Sequence, residues 1–197
     1  MRAIALLLSG LFVSTIGATS AVAGDNVIGV SYTTERAIDD FSATKSSDWQ
    51  VDYTHTFDNK VSIGGAVKYY DTAGTSDSKT NAQIGIGYTV QLEKLSVTGT
   101  VGIGQHFIDS DESSDFTYYY LTLAGALPID DKWTWNAFRL RYRNAFDSKN
   151  DYITPEIATG VSYKIDGKNS LSLMVEYDWS QNEPSYTGIE LGYKYHF

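Results

Sequence analysis

The chain has 197 residues, with 15 Lys and Arg against 24 Asp and Glu and a formal net charge of −9. It holds 15 Tyr, 17 Gly, 3 Pro and no Cys. The length suits one domain, and the composition excludes a basic nucleic-acid-binding surface, a disulfide framework and lipid attachment through a thiol. Taken from its start, the chain opens with Met1-Arg2, then an apolar run from Ala3 to about Ile16, then small residues ending Ala21-Val22-Ala23. One positive charge, an apolar core and an A-x-A site predict a secretory signal peptide over 1–23, which leaves 24–197 as the folded domain. No later stretch approaches the 18 or so apolar residues of a spanning helix.

Beyond residue 23 the chain is a series of alternating runs. Ten of them occupy 26–34, 48–57, 61–71, 80–90, 95–108, 116–127, 133–145, 152–165, 170–179 and 186–197. A period of two means β-strand, and about ten residues is what a tilted strand needs to cross a bilayer. The connections alternate. Tight turns at 58–60, 91–94, 130–132 and 166–169 are rich in Asp, Asn, Gly and Lys. Longer polar loops are expected at 35–47, 72–79, 109–115, 147–151 and 180–185. Sorting by parity separates the side chains. One face carries Trp49, Val51, Tyr53, Ile63, Ile84, Ile86, Val101, Leu121, Leu123, Leu140, Ile157, Leu171 and Leu173, aliphatic in the middle and often aromatic at the ends. The other carries Gln50, Asp52, Ser62, Gly64, Lys68, Gly85, Thr98, Gly102, Tyr118, Tyr120, Thr122 and Glu156. Short turns at one end, longer loops at the other and strict face alternation predict an all-β fold, a transmembrane antiparallel up-and-down barrel of about ten strands. No strand reads as a protected edge, which favours closure over a sandwich.

The last run reads Y-T-G-I-E-L-G-Y-K-Y-H-F. In it Glu190, Gly192, Tyr195 and Phe197 form a polar-x-Gly-x-x-aromatic-x-aromatic pattern. This resembles the C-terminal assembly signal of Gram-negative outer-membrane β-barrel proteins, porin-like ones included. The resemblance implies residence in the bacterial outer membrane, with outer-membrane lipid around the barrel and short turns on the periplasmic side. It also implies handling by periplasmic chaperones and the barrel-assembly machinery.

The polar face holds one unusual feature. F-R-L-R-Y-R puts Arg139, Arg141 and Arg143 on one side of one strand, pointing into the lumen of a closed barrel. Pairing across 147–151 would set Arg141 opposite Glu156, and pairing across the turn at Asp130 would set Tyr118 and Tyr120 beside Arg143 and Arg141. Glu176, Asp178 and Glu190 occupy the next strands, and Lys68 shares the face. These ten residues are the expected lumen lining. Two readings compete: a basic ladder that passes anions, and an internal salt-bridge network. The column resembles that of the acidic-oligosaccharide porins of enterobacterial outer membranes, which carry more strands and richer arginine tracks. No catalytic, cofactor or metal set stands out. His106 beside Asp109, Ser110 and Asp111 is a surface histidine among acids, and an enzyme is not expected. The functional expectation is a small porin-like channel for passive passage of small solutes, anions included. The alternative is a structural or surface-contact barrel with a salt-bridged, plugged lumen; a lipid-acting enzyme ranks third.

Overall fold

The computed structural model describes residues 24–74, 78–109, 115–150 and 152–197. The leader expected over 1–23, and Ser110 and Asp111 near His106, lie outside the described residues. Ten strands form: β1 Gly24–Arg36, β2 Thr44–Phe57, β3 Val61–Thr72, β4 Ser78–Leu92, β5 Leu95–Asp109, β6 Phe116–Pro128, β7 Trp133–Ala145, β8 Thr154–Lys164, β9 Asn169–Ser180 and β10 Glu183–His196. Each pairs antiparallel with its sequence neighbours, and β10 pairs with β1 to close the barrel. The seam is continuous from Val27↔His196 to Arg36↔Thr187. Phe197 N donates to Asn26 O at 2.9 Å, and Asn26 Nδ2 returns a bond to Phe197 O at 3.2 Å. Tyr195 and Phe197 stack outside this seam, with ring centroids 5.9 Å apart.

The strands run further than alternation alone suggests, at the loop end above all. β1 reaches Arg36 and β2 starts at Thr44, so the expected loop over 35–47 shrinks to 37–43. The ninth connection, expected as a loop over 180–185, is a two-residue turn. There Gln181 and Asn182 take φ of 54° and 66°, and Ser180 pairs with Glu183. Two positive φ values in succession match the twist of the flanking strands, so polar residues that read as a loop make a tight hairpin instead. At the opposite end the turns are as expected. Asp130 accepts from Lys132 N and Trp133 N, both at 2.7 Å, and Asp166 accepts from Lys168 N at 2.7 Å and Asn169 N at 2.8 Å. Those backbone donors hold both carboxyls below the usual carboxylate range.

The outer wall carries the apolar parity face. Trp49, Ile63, Ile84, Ile86, Val101, Leu121, Leu140, Leu171 and Val175 are all exposed on it. A belt of this extent on a soluble monomer would be an aggregation surface; around a closed barrel it is a lipid-facing one. Aromatic pairs such as Tyr32–Trp49 and Trp133–Tyr163, each 4.8 Å between centroids, rim the belt. Three register shifts are described, two of them at the loop end, at Glu35/Arg36 and Pro184/Tyr186, and one mid-wall. Ala137 is an extra residue in β7, skipped in the register with both β6 and β8. Phe138 beside it covers Gly125, where a Cβ would come within 2.4 Å of its ring.

The two faces should respond differently to charge. Leu123 sits mid-strand on the outer wall, and Thr122 faces the lumen beside Thr100 and Arg141. Leu123→Arg is expected to cost about 2–4 kcal/mol of barrel stability, and Thr122→Arg less, because the lumen offers acids. Urea unfolding of both variants in lipid vesicles checks this; equal costs would contradict the assignment of faces.

Candidate functional site: the charged lumen

The site is the inner wall, and β7 builds its centre. Arg139, Arg141 and Arg143 occupy successive lumen positions because alternate residues of a strand share a face. Arg141 pairs with Glu156 across β8, as the sequence predicts, and Glu156 pairs in turn with Asp178 on β9. Arg139 lies in a row with Ala158, Glu176, Gly188 and Glu35. The small residues in that row matter, since they let long side chains reach across.

Arg139 is the hub. Its Nε donates to Glu156 Oε1 at 2.8 Å, and its Nη2 donates to Glu176 Oε2 at 2.9 Å and Glu190 Oε2 at 3.0 Å. Three carboxylates from three strands thus meet one guanidinium fork, a geometry that lysine could not reproduce. Arg141 Nη2 lies against Glu156 Oε2. Arg143 binds neutral partners: Nε donates to Thr154 Oγ1 at 3.1 Å, Nη1 donates to Tyr70 OH at 3.2 Å, and the group lies 5.7 Å from the Tyr152 ring centre. Across the lumen, Lys68 Nζ pairs with Asp48 Oδ2 at 2.9 Å and stands 4.9 Å from the Tyr70 ring. Glu176 is 1% exposed, Asp178 2% and Asp48 0%. At this depth such groups persist only with partners.

Towards the loop end rings cluster on the inner wall. Tyr118 donates to Gln83 Oε1 at 3.0 Å and packs 5.4 Å from Tyr152. Tyr152 also meets Phe116 at 4.9 Å and His106 at 5.1 Å. His106 is buried in this cluster and bonded through Nδ1 to Asn81 Oδ1. It is a lumen residue, whereas the sequence reading set it at the surface beside Asp109. The glycines opposite make room for the rings: a Cβ at Gly104 would stand 2.3 Å from Tyr118 Cζ, and one at Gly102 2.4 Å from Tyr120 Cε1.

The ten residues expected in the lumen fall into two groups by exposure. Lys68, Tyr118, Tyr120, Arg143, Glu156, Glu176 and Asp178 are buried, and Arg139, Arg141 and Glu190 are half-buried. Two pairings are corrected. Tyr120 sits beside Arg143, Thr122 beside Arg141 and Tyr118 beside Ala145, since the turn that pairs Pro128 with Thr134 shifts the β6–β7 register by one residue and the bulge at Ala137 by another. Gly192 lies between Ser31 and Ser172 on the same wall. Glu35, Asp48, Tyr70, Asn81, Tyr152 and Tyr186 join the site without having been singled out. Asp48 continues the parity of Gln50 and Asp52 and was legible in principle; Glu35 lay beyond the expected strand end. Among the described residues, Glu156, Glu176 and Asp178 also bring carboxylate oxygens within 4.8 Å of one another.

No family model matches the sequence, and no curated protein is similar to it. Solved structures are similar in fold. The β-domain of the Bordetella autotransporter BrkA superposes with a TM-score of 0.57 at 12% identity, over 88% of this chain and 99% of that one. An outer-membrane channel from Pseudomonas putida F1 gives 0.53 at 11%, over 88% and 96%. The NanC porin gives 0.53 at 9%, over 85% and 98%. The fold is that of the Gram-negative outer-membrane β-barrels.

The hub makes a stability prediction. Arg139→Ala would strand Glu176 and Glu190 and leave Glu156 to Arg141 alone, and should cost about 3–5 kcal/mol, the range for breaking a buried pair. Adding Glu176→Gln and Glu190→Gln to Arg139→Ala should restore part of the loss. Urea midpoints of the three proteins test this; no recovery in the triple variant would mean that the cost lies in packing, not charge.

Proposed function

We propose that the protein is an outer-membrane barrel held closed by its own lumen, acting as a structural or surface-contact barrel and not as an open anion pore. The observation that carries this reading is Arg139 bound to Glu156, Glu176 and Glu190, with Arg141 on Glu156. A positive ladder attracts anions only while its charge is free, and here acids of three strands hold Arg139 and Arg141 while hydroxyls bind Arg143. The ring cluster of Tyr118, Tyr152, Phe116 and His106 closes the loop end above it. What the barrel then offers its surroundings is its loop end, taken as extracellular. There Ile38 and Phe41 stand exposed on the 37–43 loop and Phe146 on the next but two. That first loop is braced: Ala37 N donates to Ala43 O at 3.0 Å, and Asp40 Oδ1 accepts from Ser42 N at 3.0 Å. A braced loop with apolar tips suits contact with a partner surface at low ordering cost.

A narrow channel is the second reading. It is favoured by the Gly, Ser and Thr lining of the turn-end half, including Ser62, Gly64, Thr98 and Thr100, none of it fully buried. Likeness of fold to proteins described as a channel and a porin agrees with it. Planar-bilayer recording separates the two. Wild type should show no steady conductance, and Tyr118→Ala combined with Tyr152→Ala should open a pore that favours cations. Steady anion-selective current through wild type would overturn the closed reading.

Glu190, Gly192, Tyr195 and Phe197 complete the proposal as the handle for periplasmic chaperones and the barrel-assembly machinery. Support comes from their pattern and from Tyr195 and Phe197 lying stacked at the closing seam. Replacing Tyr195 and Phe197 with Ala should lower the heat-modifiable barrel recovered from outer membranes several-fold. Recovery at wild-type levels would remove the handle from the proposal.

A further inference from the structure

The charges at the centre of the barrel do not balance. Among the described residues this layer holds the carboxylates of Glu35, Asp48, Glu156, Glu176, Asp178 and Glu190, facing Lys68, Arg139, Arg141 and Arg143. Six acids meet four bases. Asp52, nearer the turn end, shares a row with Gly29 and Lys194 and stands outside the layer. Lys79 borders His106 near the loop-end mouth. The pairs already formed leave a particular remainder. Lys68 takes Asp48, Arg139 and Arg141 take Glu156, and Arg139 also holds Glu190 and one oxygen of Glu176. Glu35 receives the Ser46 hydroxyl on Oε2. Besides Asp48 Oδ1, whose carboxylate Lys68 already holds, Glu176 Oε1, Asp178 Oδ2 and Glu35 Oε1 are buried and have no donor among the described residues.

Those three oxygens belong to one corner of the lumen. Gly188 on β10 pairs with Glu176 on one side and with Glu35 on the other. A Cβ on Gly188 would stand 2.5 Å from Glu176 Oε1, so that carboxylate leans over bare backbone towards the strand that carries Glu35. Asp178 is the next lumen position along β9, and its carboxylate lies within 4.8 Å of those of Glu176 and Glu156. The Tyr186 phenol, opposite Asp178 in the register, faces Asp178, Glu35 and Glu176 together.

Unpaired carboxylates at this depth are costly, and a second cation is the direct way to offset them. Every group offered is an oxygen, which selects a hard cation, and an irregular cage of carboxylates suits calcium better than the stricter octahedron of magnesium. One divalent ion cancels the excess of two charges. We propose that the lumen binds a single divalent cation of the calcium type between Glu35, Glu176 and Asp178, where Gly188 lets the Glu176 carboxylate lie against bare backbone. The ion would tie β1, β9 and β10 together across the strand seam that closes the barrel. This does not depend on whether the barrel conducts.

The test uses the full barrel refolded in detergent, stripped with EDTA at pH 8 and titrated with calcium. Equilibrium dialysis with radioactive calcium should find one ion per barrel, and calcium should raise the melting temperature. Glu176→Gln with Asp178→Asn should weaken binding at least tenfold and abolish the thermal response. In EDTA the single variant Asp178→Asn, which keeps every Arg139 pair, should melt no lower than wild type, because a like charge has been removed from one corner. Gly188→Ala should weaken binding with every acid in place. If the double variant folds poorly, Asp178→Asn alone provides the same comparison. Absence of bound calcium in wild type would overturn the proposal, since the acids must then be neutralised by protons. So would a double variant that keeps the ion and the thermal response, which would assign binding to acids of the loops.

Discussion

Everything in this molecule depends on the seam between β1 and β10. A strand in lipid cannot leave its N–H and C=O groups unpaired, so the sheet must close on itself. Ten consecutive pairs join Val27–Arg36 to Thr187–His196, and the Asn26–Phe197 bonds extend them by one step. Once the ring closes, parity has only two destinations. Odd residues of β2, β3 and β9 such as Trp49, Ile63 and Leu173 must meet lipid, and their even neighbours must share the interior.

That interior is too narrow for the side chains directed into it unless large and small residues alternate around the wall. The structure does this row by row. Tyr120 lies over Gly85 and Gly102, Tyr118 over Gly104, Met174 over Gly160 and Glu176 over Gly188. Glycine here is a matter of space and not of backbone freedom, since these positions are ordinary strand. The same bare rows let Arg139 reach carboxylates on three strands, including Glu190 beyond the row in which it sits. Packing and electrostatics are therefore one problem in this barrel.

Alternation made the strands, their two faces and the lumen residues readable from sequence, because the period of two is a local property. Three things were not local. Strand ends at the loop side were hidden, since Glu35, Ser46 and Ser47 are polar whether they pair or not. The hairpin at Gln181-Asn182 read as a loop because its signal lies in backbone twist and not in a Gly. The bulge at Ala137 could not be seen, yet with the register set at the turn it moved Tyr118 from Arg143 to Ala145. Partners across the lumen were harder still. Tyr70 meets Arg143, and Asn81 meets Tyr152, across 73 and 71 residues of sequence, and only closure brings them together.

The arginine column shows why composition along one strand misleads about potential. Read along β7, three guanidinium groups two residues apart are a basic ladder. Read around the ring, the same groups are the counter-charges for acids on β8, β9 and β10, and they are outnumbered. In water the difference would be slight, because each charge would be screened within about 10 Å at ordinary ionic strength. Among side chains buried as deeply as Glu176 and Asp178 screening is weak, so the sign of the field is set by the whole layer. The strands that contribute acids to this layer without bases, β1, β2, β8, β9 and β10, therefore govern what the interior attracts. The arginines govern how tightly β7, β8, β9 and β10 are held to one another. The same residues can thus lock the wall mechanically while leaving its interior receptive to cations, a division of roles that no single strand could express.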